Sequence, residues 1–120
     1  MKKFNFQNLE VYQISKELAV DNYKITDKFP DKERFALVQQ MNRAAVSIPS
    51  NIAEGSGRVS SKDQSHFITM AYGSLMELTC QYEIAKDLGY ITQDQFDIYL
   101  KKAKNLSVKL SNFKRAIREQ

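Results

Sequence analysis

The sequence predicts an all-α protein folded as an antiparallel up-down four-helix bundle. Apolar residues recur every three or four positions along four long segments, which is the repeat of an amphipathic helix. Proline and glycine separate these segments, and no segment alternates between apolar and polar residues as a strand would. The chain has 120 residues, of which 42% are hydrophobic, so it suits a single domain over residues 1–120 with one core.

The first predicted helix covers residues 9–29 and ends before Pro30, because proline disfavours helical geometry in the residue before it. Its apolar stripe consists of Val11, Ile14, Leu18, Ile25 and Phe29. Asp31 is expected to cap the second helix by accepting hydrogen bonds from free backbone N–H groups. The stripe of that helix consists of Phe35, Val38, Met41, Ala45, Ile48 and Ile52. We expect Gly55 and Gly57 to end it.

The third predicted helix begins at Ser60, which resembles a capping box with Asp63, and ends at Gly89. Its stripe consists of Ile68, Ala71, Leu75, Leu78, Tyr82 and Ala85. Thr92 and Gln95 are expected to cap the fourth helix, which runs to the end of the sequence. Its stripe consists of Phe96, Tyr99, Ala103, Leu106, Leu110, Phe113 and Ile117. Short connections between such helices favour antiparallel packing of successive helices.

The second helix carries an internal proline beside a polar row. Pro49 lies within the stretch RAAVSIPSNIAEGSGR, residues 43–58, where it should kink or open the helix. The polar row passes the proline within an arc of about 80°, on the side away from the core stripe. It consists of Arg43, Ser47, Asn51, Glu54 and Arg58. A solvated face with weak ion pairs is the simplest interpretation of this row.

The third helix is apolar almost all round, because Met70, Met76, Cys80 and Ile84 lie outside its core stripe. A helix of this kind is expected to be buried on more than one side, and one four-helix bundle covers only one stripe. Its outer row consists of Met70, Gly73, Ser74, Glu77 and Gln81. We therefore predict a homo-oligomer in which this row meets the polar row of the second helix across subunits.

Basic residues concentrate at the C-terminal end. The chain has a net charge of +4, but its last twenty residues hold seven cations and one anion, a net charge of +6. The predicted nucleic-acid-binding residues project from the fourth helix away from its core stripe, and they are Lys101, Lys104, Arg115 and Arg118. Such cations attract phosphate groups. The alternative is that they only complement the negative end of the helix dipole.

The residue types argue against catalysis. The sequence contains one cysteine, Cys80, and one histidine, His66, which is too few for the usual zinc or di-iron sites. Cys80 lies between two core positions and is predicted to be a buried, inert thiol. The stretch EGSGRVSSKD lacks the Gly-Lys-Ser/Thr of a P-loop. We therefore predict a non-catalytic protein with no cofactor and no metal.

The expected compartment is the cytoplasm, without a membrane partner. No apolar run approaches the ~18 residues that a transmembrane helix needs. The N-terminal stretch MKKFNFQNLEVYQ lacks the long apolar segment of a secretory signal. A single cysteine also cannot form an internal disulfide.

Two motifs carry a resemblance to a known family. Residues 43–58 match R-A-A-x-S-I-x-S-N-I-A-E-G-x-x-R, and residues 71–77 match A-x-G-S-L-x-E. On these motifs the chain, from residue 9 to residue 110, resembles the four-helix bundle proteins encoded by intervening sequences in bacterial large-subunit ribosomal RNA genes. The resemblance implies a bundle that assembles into a ring, commonly a pentamer with a central channel.

The same resemblance extends to the accessory protein of diversity-generating retroelements, a basic pentameric barrel that binds RNA and a reverse transcriptase. It implies RNA or DNA as a partner, without catalysis. Two functions are therefore open for this sequence. One is an oligomer that binds nucleic acid non-specifically, and the other is a scaffold that recruits a protein partner without any role for nucleic acid.

Overall fold

The computed structural model describes residues 2–120, which form four α-helices and two short 3-10 helices and contain no strand. The α-helices are α1 (Glu10–Thr26), α2 (Leu37–Ser56), α3 (Ser61–Asp87) and α4 (Gln93–Arg118). One 3-10 helix, Asn5–Asn8, precedes α1, and the other, Asp31–Glu33, lies between α1 and α2. The predicted all-helical fold with four long helices is confirmed.

The core lies where the apolar stripes of the four helices meet. The stripes predicted for α3 and α4 are confirmed, with Phe113 packed at the edge of the core. Six large aliphatic side chains are completely buried, namely Met41, Ile48, Leu75, Leu78, Leu106 and Leu110. Each contributes about 1.5–3 kcal/mol by leaving water. The inner faces of the helices therefore supply most of the driving force for folding.

A chain of buried polar side chains crosses this core and joins three helices. The hydroxyl of Tyr82 donates to Oδ1 of Asn22 at 2.9 Å, and Nδ2 of Asn22 donates to Oδ1 of Asn42 at 2.8 Å. Oγ1 of Thr26 donates to the same Asn42 oxygen at 3.0 Å. Asn22 is completely buried, so any shift of one helix along another would leave polar atoms unpaired. The network therefore fixes the register of α1, α2 and α3.

Two stacked tyrosines connect α3 and α4. The rings of Tyr82 and Tyr99 lie 3.7 Å apart, centroid to centroid, with 7° between their planes. The Tyr99 hydroxyl lies 2.9 Å from Oγ1 of Thr79, which itself donates to the Leu75 carbonyl, so Tyr99 is the donor. Burial raises the pKa of both tyrosines above the ordinary range, because the core cannot solvate a phenolate.

The predicted ends of α3 and α4 are confirmed. At the start of α3, Ser60 accepts the backbone N–H of Asp63 at 3.1 Å. At the start of α4, Thr92 accepts the N–H of Gln95 at 3.1 Å, and the Gln95 side chain accepts the N–H of Thr92 at 2.8 Å. After α3, Gly89 has a φ of 79°, a left-handed conformation that glycine adopts without strain.

The start of α2 differs from the prediction. Asp31 does not cap the helix, because residues Asp31–Glu33 turn into a 3-10 helix and α2 begins only at Leu37. Ala36, immediately before α2, has φ −123° and ψ −103°, which is not helical. Periodicity places a helix here, but the backbone changes direction before the helix begins.

Glu33 explains this change of direction. One of its carboxylate oxygens accepts the Leu37 N–H at 3.4 Å, and the other accepts the Tyr90 hydroxyl at 2.6 Å. Glu33 thereby links the connection before α2 to the connection between α3 and α4. Phe35, predicted in the core stripe, is consequently out of register and 83% exposed, so that prediction is wrong.

The prediction for the two glycines near the end of α2 is confirmed only in part. The helix ends at Ser56 with Gly57 as its C-cap residue, but neither Gly55 nor Gly57 adopts a left-handed conformation. Gly55 lies buried inside the last turn, where an added Cβ would lie 2.8 Å from Cβ of Phe67. Gly55 therefore permits close packing of α2 on α3 rather than ending the helix. Pro49 is buried, and α2 remains helical on both sides of it.

Candidate interaction surfaces on α3 and α4

Ion pairs between α1 and α4 engage two of the lysines of α4. Nζ of Lys102 lies 3.1 Å from Oδ2 of Asp21, and Nζ of Lys109 lies 2.6 Å from Oε1 of Glu10. Exposed pairs of this kind contribute only about 0.2–1 kcal/mol to stability. These contacts neutralise the two lysines that face α1. The other cations of α4 form no such ion pair with the part of the chain that the structure describes.

The outer face of α4 carries the residues predicted to bind nucleic acid. Lys101, Lys104, Arg115 and Arg118 are all exposed, and none forms an ion pair with an acidic side chain of residues 2–120. Lys104 and Arg115 are separated by about 16 Å along the helix, from the rise per residue. The face therefore presents a row of cations that no carboxylate of the described residues neutralises.

The last turns of α4 bring two of these cations together. Arg115 and Arg118 line a shallow depression of about 450 Å³ with Lys114, Ser111 and Glu119. Three cations outnumber one carboxylate there. Guanidinium groups bind phosphate oxygens through two parallel hydrogen bonds, so this depression is chemically suited to a phosphate.

The outer face of α3 carries several exposed apolar side chains, with the exposed carboxylate of Glu77 among them. Met70, Met76 and Ile84 are 42%, 43% and 44% exposed, and Gly73 lies between the two methionines in sequence. A Cβ added to Gly73 would meet nothing within 4 Å, so no neighbour among the described residues requires a glycine there. A glycine inside a helix costs about 0.5–1 kcal/mol relative to alanine. We define Met70, Gly73, Met76, Cys80 and Ile84 as the α3 outer face.

Cys80 belongs to this exposed face, so the prediction of a buried thiol is wrong. Its sequence neighbours Leu78 and Tyr82 are buried, but residues two positions apart on a helix point in very different directions. Cys80 is the only cysteine of the chain, which makes it a natural position for labelling this face.

The two rows predicted to meet across subunits lie side by side within one chain. Oγ of Ser47 on α2 lies 2.9 Å from Oγ of Ser74 on α3. Asn51 is buried between these helices, and its Nδ2 donates to the carbonyl and the hydroxyl of Ser47 at 2.8 and 2.9 Å. Gln81 is also buried, and its Oε1 has no hydrogen-bond partner within residues 2–120. The prediction that both rows face outward is therefore wrong for Asn51 and Gln81.

The other members of the two rows reach solvent. They are Arg43, Glu54, Arg58, Met70, Gly73 and Glu77. Arg58 forms an ion pair with Glu54 at 3.0 Å, and its guanidinium lies 4.6 Å from the ring centroid of Phe67. Glu77 forms no ion pair with the side chains of residues 2–120. Met70 and Gly73 belong to the α3 outer face, and Glu77 lies on the same side of α3. Arg43, Glu54 and Arg58 lie on α2 or just after it, beside its contact with α3.

Other chemistry is sparse over the described part of the chain. Residues 2–120 contain no group of three or more side chains of metal-binding type. The ring of His66 lies 5.8 Å from the ring of Phe67, edge to face. Within the same residues, no helix combines the length and the hydrophobicity that crossing a lipid bilayer demands.

A family model described as 23S rRNA-intervening sequence protein matches residues 7–112, from before α1 to within α4. The chain belongs to this family. The resemblance read from residues 43–58 and 71–77 is thereby confirmed. The two motifs lie on α2, with the two residues that follow it, and on α3, and these two helices pack through Ser47 and Ser74.

A solved structure resembles the fold of this chain. It is a protein of unknown function from the S23 ribosomal protein family of Bacteroides thetaiotaomicron, with 23% sequence identity and a TM-score of 0.78. The match covers 87% of this chain and 97% of that chain. At this identity the likeness establishes the fold alone. No curated protein matches the chain.

Proposed function

We propose that this chain is a non-catalytic, homo-oligomeric protein that binds nucleic acid through the outer face of α4, with little preference for sequence. The subunits form a ring, of five copies as the family resemblance implies, through the α3 outer face. The observation that carries the nucleic-acid proposal is the row of exposed, unpaired cations formed by Lys101, Lys104, Arg115 and Arg118.

An antiparallel up-down arrangement of the helices is part of this proposal. In three neighbouring helix pairs, the residue numbers of the contacts rise in one helix as they fall in the other. The contacts are Ser47–Ser74 and Arg58–Phe67, Thr79–Tyr99 and Lys86–Phe96, and Asp21–Lys102 and Glu10–Lys109.

The charge distribution supports a polyanion as partner. The last twenty residues carry a net charge of +6, whereas the first hundred carry −2. In a ring, each copy would add its own row of cations to a continuous positive surface. A protein that neutralises several phosphates releases the same number of counterions, so its affinity falls steeply as salt increases.

The side chains on the outer face of α4 also support low sequence preference. Lys101, Lys104 and Arg115 are accompanied by Val108, and the aromatic residues of α4 belong to the core. Cations that contact phosphate position a protein on nucleic acid without reading its bases. We therefore expect similar affinities for single strands of different sequence.

The test is binding of a fluorescently labelled single-stranded RNA, followed by anisotropy between 50 and 200 mM salt. A plot of log K against log salt has a negative slope. Replacing Lys101, Lys104 and Arg115 by glutamine should make this slope less steep by about 2, because three phosphate contacts are lost. The matched control replaces Lys102 and Lys109, the two lysines that pair with α1. Equal loss in both variants, or no binding by the wild type at low salt, would refute the proposal.

A scaffold for a protein partner is the second candidate, and the α3 outer face favours it. Exposed methionines next to a small residue are typical of surfaces that contact other proteins. The two functions separate in a pull-down with and without nuclease. A protein partner that survives nuclease, and that is lost when Met76 is replaced by glutamate but retained in the α4 variant, favours the scaffold.

A further inference from the structure

A groove lies where α1 passes into α2, away from both outer faces discussed above. Its volume is about 680 Å³, within the range of about 300–1,000 Å³ that is usual for ligand sites. The walls come from the end of α1, the connection at residues 27–36 and the first turns of α2. We call it the α1–α2 groove.

Two exposed aromatic rings line the α1–α2 groove. Phe35 is 83% exposed and Tyr23 is half-exposed, so neither contributes much to the core. Phe35 is held outward because Glu33 is fixed by Leu37 and Tyr90. A phenylalanine fixed in water is unfavourable for the isolated chain, whereas aromatic side chains of this kind stack on unpaired bases.

Asn42 gives the groove a fixed hydrogen-bond donor. Its Oδ1 accepts hydrogen bonds from Asn22 and Thr26, so the orientation of the amide is determined by the buried network. Its Nδ2 has no hydrogen-bond partner within residues 2–120, and Asn42 lines the groove. An amide held in this way can donate to an acceptor on the edge of a base.

The charged groups of the groove balance one another. Arg34 and Arg43 lie in the lining with Asp27 and Asp31, so the lining has no net charge. The guanidinium of Arg34 lies over one face of the Phe35 ring, with its carbon 5.6 Å from the ring centroid. Because Phe35 is largely exposed, a base would stack on the opposite face. The edges of bases carry both donors and acceptors, which suits a lining that offers both.

We propose that the α1–α2 groove binds one unpaired nucleotide, whose base stacks on Phe35 and accepts a hydrogen bond from Asn42. This inference rests on the proposed function, because the outer face of α4 and the α1–α2 groove would both bind nucleic acid. It differs in that the groove contacts the base, whereas α4 contacts phosphates. Because the lining has no net charge, stacking and hydrogen bonds supply the affinity, and the affinity depends far less on salt than binding to α4 does.

The nucleotide is favoured over a peptide because the groove presents an aromatic ring beside a guanidinium and an amide donor, rather than an apolar pocket for an anchoring side chain. The groove adjoins the start of α2, whereas the end of α2 lies near the last turns of α4 around Ile117. Since α2 is about 30 Å long, a mononucleotide reaches only one of the two sites.

The experiment uses 2-aminopurine, whose fluorescence is quenched when it stacks, on the full chain. The probes are free 2-aminopurine riboside monophosphate, the same base in a single-stranded RNA octamer, and that octamer annealed to its complement. We expect saturable quenching with the first two probes and none with the duplex. Saturation by the octamer alone would mean that the phosphate chain, not one nucleotide, is bound, and would overturn the proposal.

Phe35→Ala should weaken binding of the free nucleotide by about 5- to 150-fold, from the loss of one stacking contact. Phe4→Ala is the matched control, because Phe4 is also exposed but lies outside the groove. The α4 triple variant should keep nucleotide binding while it loses binding of the polymer, which separates this inference from the proposed function. Unchanged nucleotide binding in Phe35→Ala would refute the inference. If the same variant also had an altered oligomeric mass, the groove would be a contact between copies of the chain.

Discussion

The outer faces of α3 and α4 lie on helices of nearly equal length, 27 and 26 residues, but their chemistry is opposite. The α3 outer face presents methionine and isoleucine around Gly73, whereas α4 presents Lys101, Lys104 and Arg115. Their inner faces are alike, since both pack the same kinds of aliphatic and aromatic residues into one core. The inner faces therefore determine the fold, and the proposed partners are assigned to the outer faces.

The physical reason for this division is solvation. Apolar surface gains about 25 cal/mol for each Å² that leaves water, so the α3 outer face is stabilised by any surface that covers it. Exposed ammonium and guanidinium groups are well solvated and gain from a partner only when it carries opposite charge. The difference in solvation is the reason for proposing different partners for the two faces.

The largest expected effect comes from placing charge on the α3 outer face. The double variant Met76→Glu with Ile84→Glu should abolish assembly, because each contact in the ring would have to bury two carboxylates. Stability of the isolated subunit should change by no more than about 0.5 kcal/mol, since both positions are exposed. Gel filtration measures assembly, and circular dichroism measures helical content.

Val108→Glu is the matched control for this double variant, because Val108 is an exposed aliphatic residue on the outer face of α4. It should leave the oligomeric mass unchanged. If the double variant on α3 assembles like the wild type, or if Val108→Glu dissociates the oligomer instead, the two outer faces have been assigned the wrong partners.

Alkaline pH probes the inner faces that α3 and α4 share. Burial raises the pKa of Tyr82 and Tyr99 in the folded chain, whereas in the unfolded chain both ionise near pH 10. Above pH 10 the unfolded state therefore binds fewer protons than the folded state, and the free energy of unfolding falls as the pH rises. Well above pH 10 the free energy of unfolding falls by about 1.4 kcal/mol per pH unit for each tyrosine. Well below pH 10 both tyrosines are protonated in both states, so neither makes stability depend on pH.

Urea unfolding between pH 9 and pH 11 measures this dependence. Tyr99→Phe should reduce the slope above pH 10, because it removes one of the two buried phenols. A slope that stays the same in Tyr99→Phe would show that other groups cause the alkaline loss of stability.

The smallest expected effect compares two glycines. Gly73→Ala should stabilise the isolated subunit by about 0.5–1 kcal/mol, because the helix gains a better helix former and the Cβ meets no neighbour. The same methyl group should weaken assembly by holding a second copy away. Gly55→Ala is the contrasting variant and should destabilise the subunit, because its Cβ would lie 2.8 Å from Phe67. Denaturant unfolding at a concentration that dissociates the oligomer tests both, and a destabilised Gly73→Ala subunit would contradict the open outer face.

The inner faces could be predicted from the sequence, because apolar spacing is a local property of each helix. The stripes of α3 and α4 and the capping residues Ser60 and Thr92 lie where the spacing and the local motifs place them. The cations of α4 are likewise exposed, since they lie opposite the stripe. These features depend on residues within a few positions of one another.

The remaining features depend on contacts between distant residues. Periodicity identifies the core face of a helix but not the flank that packs on a neighbouring helix. Asn51 and Gln81 lie on such flanks, so the sequence predicts that they are exposed although they are buried. Phe35 faces out because Glu33 binds Tyr90, 57 positions away along the chain. Cys80 is exposed because a position between two core residues in sequence lies on the other side of a helix.

The central claim is that copies of this chain cover one another's α3 outer face. Light scattering coupled to gel filtration at micromolar concentration tests it most directly. The account predicts a single species whose mass is a multiple of the 13.9 kDa of one chain, five times that mass for a pentameric ring. A single species of 13.9 kDa, with Met70 and Met76 left in water, would contradict it.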